Sequence, residues 1–224
     1  MQPNLIISAA LNLLSFLLTC MGIVVLMNNK DNDKLLEGNG LSALKFFTVQ
    51  SNLLYGFYAG VFAVCELVYG SSDAVPEILY VLKYVFTVGV TLTILTVILY
   101  LAPVVEGSYP PLFRGANLYF HLLIPVLAII SFSFFERGSH ISLPQVFLGM
   151  IPFSFYLVYY AVNSLSHAEN GQVPEKYDWY RFLSGGTKKA VIPIVVMIAA
   201  VTVICFGLWL INPKCIILVG KSSF

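Results

Sequence analysis

Residues 116–135 read ANLYFHLLIPVLAIISFSFF, a run in which the imidazole of His121 is the only titratable side chain apart from the phenol of Tyr119. About twenty consecutive apolar residues are what an α-helix needs to cross the hydrocarbon core of a bilayer. The run is continuously apolar and lacks period-two alternation, which argues against a strand of a membrane barrel. Five more runs of this kind stand at roughly 5–27, 43–69, 78–101, 142–162 and 189–211. Together they predict an all-α polytopic membrane protein, a six-helix bundle forming a single transmembrane domain over residues 1–224.

Composition leads to the same class. The chain is 58% hydrophobic and 10% charged, against about 25% charged residues in soluble domains. Its net charge is +1, with Lys and Arg dispersed, so no basic stripe offers itself to nucleic acid. Cys20, Cys65, Cys205 and Cys215 form no C-x-x-C pair, and three fall inside apolar runs. They read as small hydrophobes and not as a disulfide framework or zinc site. His121, His140 and His167 show no metal-ligand spacing, and no phosphate-loop or dinucleotide fingerprint is present, so no metal and no cofactor is expected. The first apolar run is too long for a signal peptide and no Lys or Arg precedes it, so it is expected to be a retained helix.

Connections 28–42, 102–115 and 163–188 fall on one side. With their flanks they carry eight Lys and Arg, against four on the other side, which predicts a cytoplasmic location for the first side and outside termini. Glu66 and Lys83 lie near helix ends on the opposite side, and a pair between them near the interface would account for both. Pro125, Pro152 and Pro193 are expected to be kinks.

A histidine at membrane depth is costly and is a functional-site hypothesis by default. Thr48 is about five residues into the second predicted helix and His121 about five into the fourth, each roughly 7–8 Å below its start. Thr48, Ser51, Asn52 and Tyr55 are spaced i, i+3, i+4, i+7 and form a polar stripe, while Asn117, His121 and Pro125 share a face of the fourth helix. Two such stripes should face the protein interior and each other. A hydroxyl next to a neutral imidazole is the arrangement of an activated nucleophile. Gln50, Ser51, Asn52 and Asn117 are the polar residues placed to orient a substrate or stabilise an oxyanion. The chemistry these parts suit is acyl transfer or ester hydrolysis on a membrane lipid. Two other readings use the same residues. A transporter would have His121 titrate, and a non-catalytic lipid-binding protein would use Thr48 on its own helix carbonyl and the amides as interhelical bonds.

Lys45-Phe46-Phe47-Thr48-Val49-Gln50-Ser51-Asn52-Leu53 resembles the segment carrying the reactive threonine in the androgen-induced gene and androgen-dependent TFPI-regulating protein family. Asn117-Leu118-Tyr119-Phe120-His121, with Pro125 beyond, resembles that family's histidine segment. Trp179-Tyr180-Arg181-Phe182-Leu183 is a weaker echo of its aromatic segment, with Arg181 where the family has proline. The three motifs cover about a tenth of the chain, and the Gln-Ser-Asn after Thr48 is closer to bacterial six-helix relatives than to the animal enzymes. The resemblance implies a multipass threonine hydrolase of fatty acid esters of hydroxy fatty acids, with Thr48 as nucleophile and His121 as base. Its partners would be membrane lipids and the acyl-lipid ester itself. Tyr177, Trp179, Tyr180 and Phe182 are expected at the membrane interface, near a mouth above Thr48.

Overall fold

A computed structural model of the chain describes residues 3–28, 40–71, 74–106, 109–136, 141–183 and 191–212. His140, Cys215, Lys30, Lys34, Arg137, Lys188, Lys189, Lys214 and Lys221 lie outside the described residues. Six helices among the described residues are long and apolar enough to span a membrane: α1 (Asn4–Asn28), α2 (Phe47–Tyr69), α3 (Glu77–Pro103), α4 (Ala116–Phe135), α5 (Leu143–Ser166) and α6 (Val191–Ile211). The protein is a multipass, all-α membrane bundle. The central helix is α3, which packs against α2, α4, α5 and α6, while α1 lies across α2 and α4.

Helix α1 is amphipathic in the inverted sense a membrane requires. Ser8, Asn12, Ser15 and Thr19 face inward and are fully buried, while Leu13, Leu17, Met21 and Val24 are exposed. Outward leucines cost nothing in lipid, and inward hydroxyls and amides find partners there. The α1–α2 approach is set by Gly56 and Gly60, a small-x-x-x-small pair. A Cβ at Gly56 would stand 1.9 Å from Thr19 Oγ1, and one at Gly60 3.0 Å from the Phe16 ring. Only residues without side chains let the two backbones come this close.

Three sequence expectations are changed by the structure. The second helix starts at Phe47, about four residues later than predicted, because Gly40–Lys45 forms a separate 3₁₀ turn. Gly40 enters that turn at φ +64°, and Phe46 leaves it extended, at φ −85° and ψ 135°. Thr48 is therefore in the first turn of α2, whereas His121 is the sixth residue of α4, so the equal depths expected from the sequence do not hold. Second, Lys83 forms its ion pair with Glu136 at the end of α4, at 3.3 Å, and both are fully buried. Glu66 joins them through the Asn12 amide, so no interfacial pair is needed to explain it. Third, the prolines act through the turns before them. A wide, π-type turn over Tyr119–Leu123 precedes Pro125, and a tight 3₁₀ turn over Phe147–Met150 precedes Pro152. Pro193 is the third residue of α6.

Gly56→Val is expected to lower the free energy of unfolding by about 1–3 kcal/mol, the range for forcing extra atoms into a packed contact. Gly207→Ala, whose new methyl meets open space, should shift it by less than about 0.5 kcal/mol. Unfolding of the detergent-solubilised protein, followed by tryptophan fluorescence, compares the two; equal losses would show that the α1–α2 approach is not limiting.

Candidate active site

The first N–H groups of a helix have no partner within it. At α2 no side chain of Phe46 supplies one. The phenol of Tyr180, arriving from the loop between α5 and α6, does so in trans. Its oxygen accepts the Phe47 N–H at 3.1 Å. Burial pushes the Tyr180 phenol above its ordinary pKa, and its hydrogen bonds oppose that rise. Thr48 lines the same narrow cavity as Tyr180.

Tyr180 is held by its own surroundings. Trp179 and Tyr180 pack edge-on against Phe46, and Tyr180 stacks with Phe182 at 5.5 Å. The turn is pinned by Asp178, which accepts the Tyr160 hydroxyl and, at 3.0 Å, the Leu183 N–H. Burial raises the Asp178 pKa, with both bonds acting against it. Of the four loop aromatics expected near Thr48, Tyr180 and Phe182 line its cavity and Trp179 stands one ring away. Tyr177 instead stacks on His167 at 3.6 Å, an exposed imidazole bonded to the Asn163 carbonyl.

Two cavities meet at the start of α2. A narrow one of about 30 Å³ is lined by Thr48, Thr93, Thr96, Tyr156, Tyr160 and Tyr180, among others. A larger crevice of about 410 Å³ runs between α2, α3 and α5 and is lined by Gln50, Ser51, Leu54, Gly89 and Phe155. Phe47 and Tyr156 belong to both and form the partition. Leu54 and Phe155 are exposed, so the crevice opens on the bundle's apolar outer surface.

His121 belongs to a different wall. Its Nδ1 lies 2.8 Å from the Leu112 carbonyl. A carbonyl can only accept, so Nδ1 carries the hydrogen and Nε2 of the neutral ring keeps its lone pair. The ring is thus oriented by Leu112, while Asn117 is itself buried at the start of α4. Among the described residues no direct hydrogen bond joins Thr48 to His121, and His121 lines neither cavity.

Asn52 is the link between the two segments. In the wide turn the Ile124 N–H reaches Tyr119 O, five residues back, and bypasses Phe120. Pro125 has no N–H to offer, so the Phe120 carbonyl is left without a helical donor. Asn52 Nδ2 fills that vacancy at 2.9 Å, and donates also to the Thr48 carbonyl at 2.7 Å. The Thr48 and Phe120 carbonyls are therefore separated by no more than two hydrogen-bond lengths. Both amide hydrogens of Asn52 are committed, so it orients the two segments and does not donate to an oxyanion. Its Oδ1 is buried without a hydrogen-bond partner among the described residues. Ser51 bonds the Thr48 carbonyl at 3.2 Å and Thr93 Oγ1 at 3.1 Å, and Gln50 donates to the Leu44 carbonyl, closing the 3₁₀ turn. The polar stripe is split: Ser51 turns to α3, Asn52 to α4, and Tyr55 reaches Lys83.

The sequence reading placed Tyr180 near Thr48 through the aromatic run 177–182, but missed it as the group that caps α2. It missed the Leu112 carbonyl, which carries no sequence signal at all. Comparison of the chain with protein-family models, with curated proteins and with solved structures finds no match.

Removing the Asn52 amide leaves the Phe120 carbonyl unsatisfied, while the Thr48 carbonyl keeps the Ser51 hydroxyl. Asn52→Ala is expected to destabilise the protein by about 1–3 kcal/mol, the cost of an orphaned buried acceptor. Tyr180→Phe, which strips the cap from α2, should cost about 1 kcal/mol. Both are measurable as shifts in thermal unfolding in detergent. An Asn52→Ala protein as stable as the parent would mean that α2 and α4 do not depend on this bridge.

Proposed function

We propose that the chain is an intramembrane hydrolase or acyltransferase of acyl-lipid esters, with Thr48 as nucleophile and His121 as base. The observation that carries the reading is the position of the Thr48 hydroxyl. It stands on the wall of an apolar cavity that only Phe47 and Tyr156 separate from a crevice open to the outer surface. The crevice volume falls in the range of about 300–1,000 Å³ that small-molecule sites occupy, and its apolar lining suits an acyl chain. Gln50 and Ser51 on its wall are the polar groups an ester would meet first. The segments around Thr48 and His121 resemble those of the threonine hydrolases described above, which favours fatty acid esters of hydroxy fatty acids as the substrate class.

In this mechanism the ester carbonyl displaces Tyr180 from the start of α2. Its oxygen then takes the Phe47 N–H that the phenol occupies in this structure, and that donor stabilises the oxyanion. The Thr48 oxygen attacks the carbonyl carbon, and its proton passes to His121 Nε2. Because no direct hydrogen bond joins Thr48 to His121 among the described residues, this transfer needs the hydroxyl to turn toward α4, or one bridging water. The imidazolium then protonates the leaving alkoxide. Water, or a second alcohol in the transferase direction, attacks the acyl-threonine while His121 takes its proton, and the acyl–oxygen bond to Thr48 breaks as the imidazolium returns that proton to the Thr48 oxygen. Asn52 holds α2 and α4 in register and Asn117 packs at the start of α4. In the same reading the connections bearing the excess of Lys and Arg face the cytoplasm, placing Thr48 on that side of the membrane and both termini outside.

A fluorophosphonate probe tests the assignment. Labelling of the purified protein is expected to vanish in Thr48→Ala and in His121→Ala, and to persist in part in Thr48→Ser. Turnover of a long-chain ester should fall to background in both alanine variants, and the double variant should be hardly worse than either, since residues acting as a unit give non-additive losses. Undiminished labelling of Thr48→Ala would falsify the threonine assignment and move attention to Ser51. Proton-coupled flux that responds to His121 but not to Thr48 would identify a transporter. Specific binding of a lipid ester without turnover would leave a lipid-binding protein.

A further inference from the structure

Glycine inside a helix costs stability relative to alanine, so a glycine in the middle of the central helix needs a physical reason. Gly56 and Gly149 have theirs in packing. A Cβ at Gly149 would stand 2.8 Å from Cys205 Sγ and 2.9 Å from the Val88 side chain. Gly89 of α3 is different. Among the described residues its Cβ would meet only Ser51 Cβ at 3.4 Å and the tip of the Phe47 ring at 3.8 Å, both ordinary contacts. Gly89, Ser51 and Phe47 all line the crevice of about 410 Å³ between α2, α3 and α5. The side chain that position 89 lacks is therefore space in the crevice.

The walls say what such a space holds. The α5 wall runs from Pro152 to Tyr159, about two turns or 10 Å of helix. Carbon dominates the lining, and two of its hydroxyls are engaged elsewhere. Ser51 bonds the Thr48 carbonyl and Thr93, and Tyr156 donates to the Lys45 carbonyl while accepting the Trp179 indole N–H at 3.0 Å. The rim residues Leu54 and Phe155 are exposed on helices that span the bilayer, so the molecules that reach the opening are lipids. A lipid tail gains nothing there by leaving water, since its surroundings are already apolar. It gains by close contact, and a crevice walled by three helices offers more of that than a convex helix face.

We propose that the crevice is a lateral binding site for one acyl chain of a membrane lipid, and that Gly89 is the residue that selects for it by keeping the inner end open. The chain slides in from the bilayer between Leu54 and Phe155. Its ester end comes to rest against Phe47 and Tyr156, whose rings pack at 5.2 Å and separate the crevice from the cavity that Thr48 lines. A leucine at position 89 would fill the space beside Ser51 and Phe47 and hold the chain away from that partition. The fate of the ester end rests on the hydrolase reading. Seating of the chain does not, because it needs neither the Thr48 hydroxyl nor His121.

Photocrosslinking tests this on the full-length protein in digitonin, a detergent without an acyl chain. The probe is methyl palmitate carrying a diazirine in mid-chain, and the cross-linked peptides are read by mass spectrometry. The peptides holding Leu54 and Phe155 are expected to take up several-fold more probe than the one holding Val203, an exposed position on α6. Excess unlabelled methyl palmitate should abolish the crevice signal and leave that at Val203. The saturable signal should be lost in Gly89→Leu and kept in Gly89→Ala, whose methyl makes only ordinary contacts. Leu54→Trp narrows the opening from the lipid side and should also lose it, which keeps the test decisive if Gly89→Leu does not fold. Crevice labelling in the parent that is not saturable, or that persists in either variant, would overturn the proposal. Crevice peptides that take up no probe while Val203 does would overturn it in favour of a protein surface, such as a second copy of the chain, covering the crevice. Saturable cross-links in a protein whose Thr48 takes no fluorophosphonate would support the lipid site and remove the hydrolase reading. Fluorophosphonate labelling of Thr48 without saturable cross-links would overturn the lipid site alone.

Discussion

A fully buried ammonium group must take its acceptors from neighbouring helices, and Lys83 takes one from each of three. Asn12 of α1, Tyr55 of α2 and Glu136 at the end of α4 surround it. The central helix α3 is thereby tied to the helices that flank it, through bonds that lose their partners if any one shifts. Lipid tails are as apolar as leucine, so helices gain nothing by burying leucines against one another. The asymmetry of α1, polar inside and apolar outside, follows from the same constraint. A half-broken network of this kind leaves a bare charge, which costs more than never having built it.

The two wide turns of α4 extend the same principle to the backbone. Each changes which carbonyls the helix satisfies and which side chains share a face. The first frees the Phe120 carbonyl, already deprived of a donor by Pro125, and Asn52 answers it from α2. The second, Ser131–Phe135, brings Ser131 under Glu136 and turns the carboxyl inward. Irregular helix is tolerated inside a bilayer only where a neighbour restores the hydrogen bonds, and here the neighbour's residue is identifiable in each case. Wide turns of this type are often found where a helix carries function. In α4 the first contains His121 and the second sets Glu136.

At the start of α2 a hydroxyl from a loop replaces a cap from the helix's own sequence. The Tyr180 oxygen accepts the Phe47 N–H, the donor that the proposed chemistry would need free. The aromatic cluster around Tyr180, pinned by Asp178, makes its displacement a movement of the whole turn between α5 and α6, and not of one ring alone.

The helix count and approximate limits were legible in the sequence, because a bilayer-spanning helix must satisfy its backbone internally and show about twenty apolar residues to lipid. The polar positions Thr48, Ser51, Asn52, Asn117 and His121 were legible for the same reason, as exceptions to that rule, and all five are buried. Their partners were not legible. Helical spacing says which residues share a face, but not which neighbour that face meets, so the stripe on α2 could be read as facing His121 when it divides among α3, α4 and Lys83. Glu66 and Lys83 looked like a pair because they share a side of the membrane; the packing of α1 and the wide turn at the end of α4 decided that Asn12 and Glu136 complete the set. Period and polarity are properties of a segment and are written in its residues. A hydrogen bond between helices depends on the rotation and register of both, and only the folded bundle fixes those.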